Sequence, residues 1–265
     1  MTDLWILHGF LGLASGLLVG FSLGLVGGGG SILAVPLMVY LVGVPDAHVA
    51  IGTSAIAVAA SAALNLATHA RNGTVRWHCA GVFAAMGAAG AVLGSTIGKN
   101  VDGRKLLVLF ACLMIVVAAL MLKRRGSGGE QDGRLNRSNL PKLVGYGLGA
   151  GTVSGFFGIG GGFLVVPGLV FATGMPLLNA IGSSLVAVAA FGLTTAANYA
   201  LSGFVDWTLA ALFISGGVLG GLIGVRSAHA LARRRGALDC VFAGVIFAVA
   251  VYMLLRSGAA LWPPA

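Results

Sequence analysis

Charge is scarce in this chain. Asp, Glu, Lys and Arg make up 9% of its 265 residues, where a soluble globular domain carries about 25%. A chain so poor in charge cannot cover a water-facing surface, which excludes a soluble domain. Acids are scarcest, at seven against sixteen Lys and Arg. Asp46, Asp102, Asp206 and Asp239 all map near the ends of apolar runs, so a carboxylate-lined cation or proton pathway lacks its parts. Cysteine is rare as well. Cys79, Cys112 and Cys240 are scattered and odd in number, which argues against a disulfide framework, and no CxxC or Cys/His spacing marks a metal site. No Ser/His/Asp, HExxH or paired-carboxylate pattern is present, so no enzyme is expected. No βαβ pattern surrounds the glycine runs, so they are not a nucleotide fingerprint, and no cofactor is implied.

What is abundant is apolar length. Hydrophobic residues reach 58%. Val49 to His69 holds no Asp, Glu, Lys or Arg, and Leu106 to Leu122 holds no charge at all. About 20 apolar residues cross a bilayer core, and several segments meet that length. The net charge of +9 would suggest nucleic acid in a soluble protein. Here the basic residues cluster between apolar runs, at Arg71 and Arg76, Lys99 to Lys105, Lys123 to Arg125, Arg134 to Lys142, and Arg233 to Arg235. That is loop charge orienting a membrane protein, with lipid and not nucleic acid as the partner. Trp5, Trp77, Trp207 and Trp262 near segment ends read as interfacial anchors. The N-terminus lacks the basic region of a signal peptide, so the first segment reads as a retained helix.

Internal repetition organises the chain. Residues 24–36, GLVGGGGSILAVP, align without gaps to 155–167, GFFGIGGGFLVVP. Gly43-Val44-Pro45 then matches Gly174-Met175-Pro176, and Ala50 to Ser54 matches Ala180 to Ser184. Gly73 and Trp77 match Gly203 and Trp207, and Gly90 and Gly94 match Gly220 and Gly224. The expected architecture is all-α: a polytopic helical membrane protein of two homologous halves with about five hydrophobic segments each. The segments run about 5–27, 31–44, 49–70, 77–98 and 105–122, then 142–158, 162–173, 180–202, 206–230 and 237–256. This divides the chain into a first repeat (1–122), a polar linker (123–141), a second repeat (142–256) and a tail (257–265).

The second segment of each half is too short to span simply. It forms a tight pair with the first, or a hairpin that dips in and returns, or the second part of one broken span. If the chain returns to its starting side, Lys99, Arg104, Lys105 and Arg256 fall on one face, and the remaining twelve of sixteen basic residues fall on the other. A broken span makes the count nearly even. The positive-inside rule favours the asymmetric solution. It puts the termini outside, the linker in the cytoplasm and the halves in inverted orientation, a common plan for secondary transporters.

The candidate site follows from the matched features. Gly12, Gly16, Gly20, Gly24 and Gly28 recur every fourth residue, as do Gly147, Gly151 and Gly155, and Gly90, Gly94 and Gly98. Such stripes let helix backbones approach closely in lipid and support a bundle, not an activity. The consecutive clusters Gly27–Gly30 and Gly158–Gly162 differ. Each weakens the helix and precedes a short segment containing a proline. They are either tight turns or anion cradles that use the free N–H groups and positive dipole end of the helix that follows. The cradle would comprise Gly28, Gly29, Gly30 and Ser31 in one half, and Gly160, Gly161 and Gly162 in the other. Thr53, Ser54, Ser183 and Ser184 either cap helices or line the pathway, with His48 and Asn179 upstream of them. Asn65, His69, Asn198 and Tyr199 are polar residues within the third segments and should face the bundle interior.

The glycine-rich runs ending in Val-Pro, the Gly-Thr-Ser and Gly-Ser-Ser starts of the third segments, and the Gly plus Trp pairs before the fourth resemble the TauE/SafE sulfite exporter family. The resemblance covers about Leu13 to Arg256. It implies an inner-membrane permease for a small sulfur-containing anion such as sulfite or an organosulfonate, without a cofactor. The two copies differ at Gly28 against Ile159 and Ser31 against Gly162, so their contributions to a shared site need not match. The expected function is a secondary anion permease working as an exporter. A passive anion channel and a non-transporting scaffold are the alternatives, and association into a homo-oligomer is left open.

Overall fold

The computed structural model describes residues 2–123, 139–231, 244 and 246–256. Among these residues there is helix and no strand. Helix α1 (Thr2–Val26) passes into a 3-10 stretch (Gly27–Leu33), a single α-turn α2 (Ala34–Pro36) and a π-helical stretch (Leu37–Val42). Then follow α3 (Ala47–Arg71), α4 (Trp77–Lys99) and α5 (Gly103–Lys123). The second half repeats the order with α6 (Leu140–Phe157), α7 (Gly162–Thr173), α8 (Leu177–Ala200) and α9 (Trp207–Leu231), and α10 (Ile246–Arg256) completes the described chain. Four of these helices, Ala47–Arg71, Trp77–Lys99, Leu178–Ala200 and Trp207–Ser227, are long and apolar enough to cross a bilayer. The linker and tail expected from the sequence lie mostly outside the described residues.

Duplication reaches the backbone. Gly43 and Gly174 both end short segments with left-handed φ, 86° and 67°, and Gly73 and Gly203 turn the next loops at 67° and 75°. Only glycine takes these angles without strain. The acids cap helices at the ends of the bundle. Asp46 accepts a bond from the His48 amide, Asp102 from the Arg104 and Lys105 amides, and Asp206 from the Leu209 amide. Each satisfies N–H groups that the helix itself cannot. Trp77 and Trp207 open α4 and α9 and are exposed, as interfacial anchors are.

The glycine stripes do their packing between halves, not within them. Helix α1 lies along α9, with Gly16, Gly20 and Gly24 against the backbones of Phe213, Gly217 and Gly221. Helix α6 lies along α4 in the same way, with Gly147, Gly151 and Gly155 against Phe83, Gly87 and Ala91. The first helix of each half therefore packs on the fourth helix of the other. Residue numbers rise together along both pairs, so both are parallel.

Helices α3 and α8 form the centre. The start of α3 meets the chain leaving α8, where Gly52 abuts Tyr199 and Phe204. The start of α8 meets the chain leaving α3, where Gly182 abuts Thr74. The two therefore run antiparallel. Helix α3 runs parallel to α9, because Ser61 abuts Gly217 and Asn65 abuts Gly221. Since α9 is also parallel to α1, α1 and α3 point the same way. The Gly27–Val42 stretch must return the chain to the side from which α1 began, which removes the broken-span alternative.

A Cβ at Gly151 would fall on the Gly87 backbone, whereas one at Gly149, on the same helix, meets nothing within 4 Å. Overpacking of this kind costs about 1–3 kcal/mol and sometimes more. Gly151→Val should therefore lower the unfolding free energy in detergent by about 3 kcal/mol, and Gly149→Val by less than about 0.5 kcal/mol. Thermal unfolding of the purified variants checks the contrast.

Candidate functional site

The two glycine clusters are not built alike. In the second half, Gly158, Gly160 and Gly161 take φ of 68°, 63° and 63°, so α6 stops abruptly and α7 starts afresh. Ile159 stands among them with ordinary φ and donates its amide to the Ser154 carbonyl. No side chain caps the start of α7, whose N-cap is Gly161. In the first half, Gly27–Leu33 is a continuous 3-10 stretch. The matched clusters therefore differ: the second breaks the helix, and the first continues as a 3-10 stretch. The first still reverses the chain, because Gly30 lies against the backbone of Ser22 and Leu23, a fit that a Cβ would prevent.

The second break sits deep. Gly160 touches Val58 and Val188, which lie near the middles of α3 and α8. Gly158 touches Ile51, and Gly161 touches Ser154 and Phe191. Residues Ile51, Ser54 and Val58 share one helical face, so the strip of α3 carrying Ser54 faces the break of the opposite half. The matching strip of α8 is Ile181, Ser184 and Val188, and α8 in turn contacts the Gly27–Leu33 stretch. The second break is thus paired with a hydroxyl-bearing strip from the other repeat, and the first with helix α8. Ile32 and Ile159 belong to one buried cluster that joins the two breaks.

The hydroxyls divide by role. Thr53 Oγ1 accepts a bond from the Asp206 amide at 3.0 Å, and Ser183 Oγ accepts one from the Arg76 amide at 2.8 Å. These are matching positions holding matching loops, so Thr53 and Ser183 clasp the halves together. Ser54 and Ser184 donate to the carbonyls of Ile51 and Ile181 in their own helices. All four residues are fully buried, as is Ser31. Because α3 and α8 are antiparallel, Ser54 and Ser184 lie on opposite sides of their crossing. Each precedes the central valine by four residues, which separates them by about 12 Å along the axis.

Asn65 is buried, with Oδ1 against Gly221 and Nδ2 without a hydrogen-bond partner. Asn198 is elsewhere. Its side chain donates to Ser95 and Thr96 of α4 and accepts from Lys99, which also bonds the Asn198 carbonyl and Ser202. It is committed to the α4–α8 contact, apart from the glycine breaks. His69 pairs with Thr74 at the end of α3, and Asn179 donates to the Thr74 carbonyl. No group of three or more His, Cys, Asp or Glu able to hold a metal occurs among the described residues.

One residue went unread in the sequence. Ser154 is fully buried, its hydroxyl has no partner, and it lies beside Gly161 at the uncapped start of α7. Its counterpart in the first repeat is Leu23, so it shows no matched signal. The start of α7 therefore combines an uncapped helix N-terminus, a spare hydroxyl and a facing Ser54. That arrangement can take an oxygen carrying negative charge without any cationic side chain.

Comparison with known proteins agrees in extent. The family described as sulfite exporter TauE/SafE matches residues 12–253. A probable membrane transporter protein of Xylella fastidiosa is 51% identical, over 94% of this chain and 96% of its own. A probable membrane transporter protein of Haemophilus influenzae is 30% identical, over 71% of this chain and 72% of its own. The probable membrane transporter protein YdhB of Bacillus subtilis is 26% identical, over 79% and 86%. No solved structure matches.

A hydrogen bond of this kind contributes about 0.5–1.5 kcal/mol net. Thr53→Val and Ser183→Ala should each destabilise the protein by about 1 kcal/mol through loss of the bonds to the Asp206 and Arg76 amides. Ser54→Ala, which strands no donor, should cost less than half as much. Unfolding in detergent of the three variants separates clasp from site.

Proposed function

Because the chain belongs to the TauE/SafE family, a family of membrane transporters, we propose that it is a secondary permease exporting a small sulfur-containing anion, such as sulfite or an organosulfonate, across a bacterial inner membrane. The observation that carries this reading is the α6–α7 break. It sets left-handed glycines, an uncapped helix start and the free Ser154 hydroxyl against the middles of α3 and α8. Irregular backbone at membrane depth is tolerated only where it is buried in protein or lines a cavity. A helix N-terminus there offers N–H groups and a positive dipole end. The proposed contacts are Gly160, Gly161, Gly162, Ser154 and Ser54 on one side of the crossing. Gly28, Gly29, Gly30, Ser31 and Ser184 form the other.

The antiparallel run of α3 and α8, matching helices of the two repeats, supports an inverted repeat, and the basic residues between the halves favour the cytoplasmic side for the linker. Two stations about 12 Å apart suit a carrier that passes an anion from one side of the centre to the other as the halves rock. The buried state of all five hydroxyl residues named in the sequence fits an occluded conformation.

Proteoliposome flux with sulfite, sulfoacetate, thiosulfate and sulfate tests the reading. A carrier saturates and responds to an imposed ion gradient. A passive channel saturates weakly and ignores the gradient, and a scaffold gives no flux. Combined Ser54→Ala and Ser184→Ala should weaken binding of the transported anion about tenfold or more while the protein still inserts. Unchanged binding removes these hydroxyls from the mechanism.

A further inference from the structure

Beyond the central breaks, buried donors without partners gather in the first half. Ser61 Oγ and Asn65 Nδ2 on α3, and Ser22 Oγ on α1, are all at least nine-tenths buried and lack hydrogen-bond partners. An unsatisfied buried donor is costly and rare, and each calls for a physical reason. Ser54, Ser61 and Asn65 fall within about 20° of one line along α3, so they continue the strip that faces the α6–α7 break. Opposite Ser61 and Asn65, helix α9 presents Gly217 and Gly221, which offer no side chain. Ser22 stands beside Gly30, where the first glycine cluster turns back. The row leads from the centre toward the end of α3 that carries His69 and Arg71.

The second half has no equivalent row. The position matching Ser61 is Phe191, whose ring fills the space over Gly87, and the position matching Gly221 is Ala91. Thr195 and Tyr199, which match Asn65 and His69, also bury hydroxyls without partners, but Phe191 stands between them and the centre. The two halves share a plan, yet only the first runs its donors unbroken from the centre.

We propose that Ser61, Asn65 and Ser22 line the conduit between the central breaks and the Arg71 end of the bundle, that it carries a hydrogen-bond-accepting anion, and that Phe191 plugs its counterpart. The donors lack partners because the passing solute and its water supply them. This rests on the permease reading for the identity of the solute, but not for the existence of the path.

Accessibility tests it. In a full-length background with Cys79, Cys112 and Cys240 replaced by Ala, S61C, N65C and T195C are treated with 2-sulfonatoethyl methanethiosulfonate. The reagent is applied from each face of oriented vesicles. S61C and N65C should react about tenfold faster than T195C, which stays behind the Phe191 ring, from the face bearing Arg71, and sulfoacetate should slow them. Failure of S61C and N65C to react from either face, or equal reaction of T195C, overturns the conduit. The near-isosteric Asn65→Leu gives an independent reading. It should cut flux about tenfold with unchanged detergent elution, and unchanged flux counts against the conduit. If the cysteines react while the wild-type protein moves no sulfur anion, the substrate assignment falls and the conduit stands. If the wild type transports while both cysteines stay inert, the conduit alone falls.

Discussion

The closest physical constraint on this fold is backbone against backbone. Lipid tails are as apolar as leucine, so burial from lipid gives helices no hydrophobic drive to associate. What remains is van der Waals contact, which fades within an ångström of gap. Gly16, Gly20 and Gly24 on α1, and Gly147, Gly151 and Gly155 on α6, let whole helices meet at the main chain. Both contacts cross between repeats. The α3–α8 pair is thereby held between two helix pairs that each draw one member from either half, and the glycine break at its middle is fixed from both sides.

Within that frame the site uses few charges. The described aspartates cap helices at the ends of the bundle, and Lys99 is bonded to Asn198 and Ser202. On the permease proposal, recognition at depth falls to amides and hydroxyls. Neutral donors bind an anion without trapping it, since a buried opposite charge would add attraction that is hard to escape in low dielectric. A transporter has to release what it binds, and the chemistry near Gly160, Gly161 and Ser154 suits that requirement.

The duplication was legible because its landmarks are glycines, prolines and tryptophans with special backbone or interfacial roles. The left-handed angles at Gly43, Gly174, Gly73 and Gly203 explain why those positions match. The exchange of helices between repeats was not legible. Periodicity marks a face, and the stripe on α1 names no partner. Thr53 and Ser183 near helix starts suggested local caps, yet they serve loops 153 and 107 residues distant, which no local pattern encodes. The clusters look alike in sequence, but Ile159 restricts where the turn can form, so left-handed glycines flank it in one copy while the other tightens into a 3-10 stretch. Ser154 escaped notice because a lone serine in an apolar helix, matched by Leu23, breaks the repeat instead of marking it.

Exchanging first helices between repeats also has a consequence during synthesis. Helix α1 is complete at Val26, but its partner α9 begins only at Trp207. At roughly 5–20 residues per second, α1 waits about 10–40 s in the bilayer with its glycine face bare. Any neighbour with a small-residue stripe competes for that face in the interval, so the second repeat must reach the membrane before the first can settle, and neither repeat alone closes its own bundle.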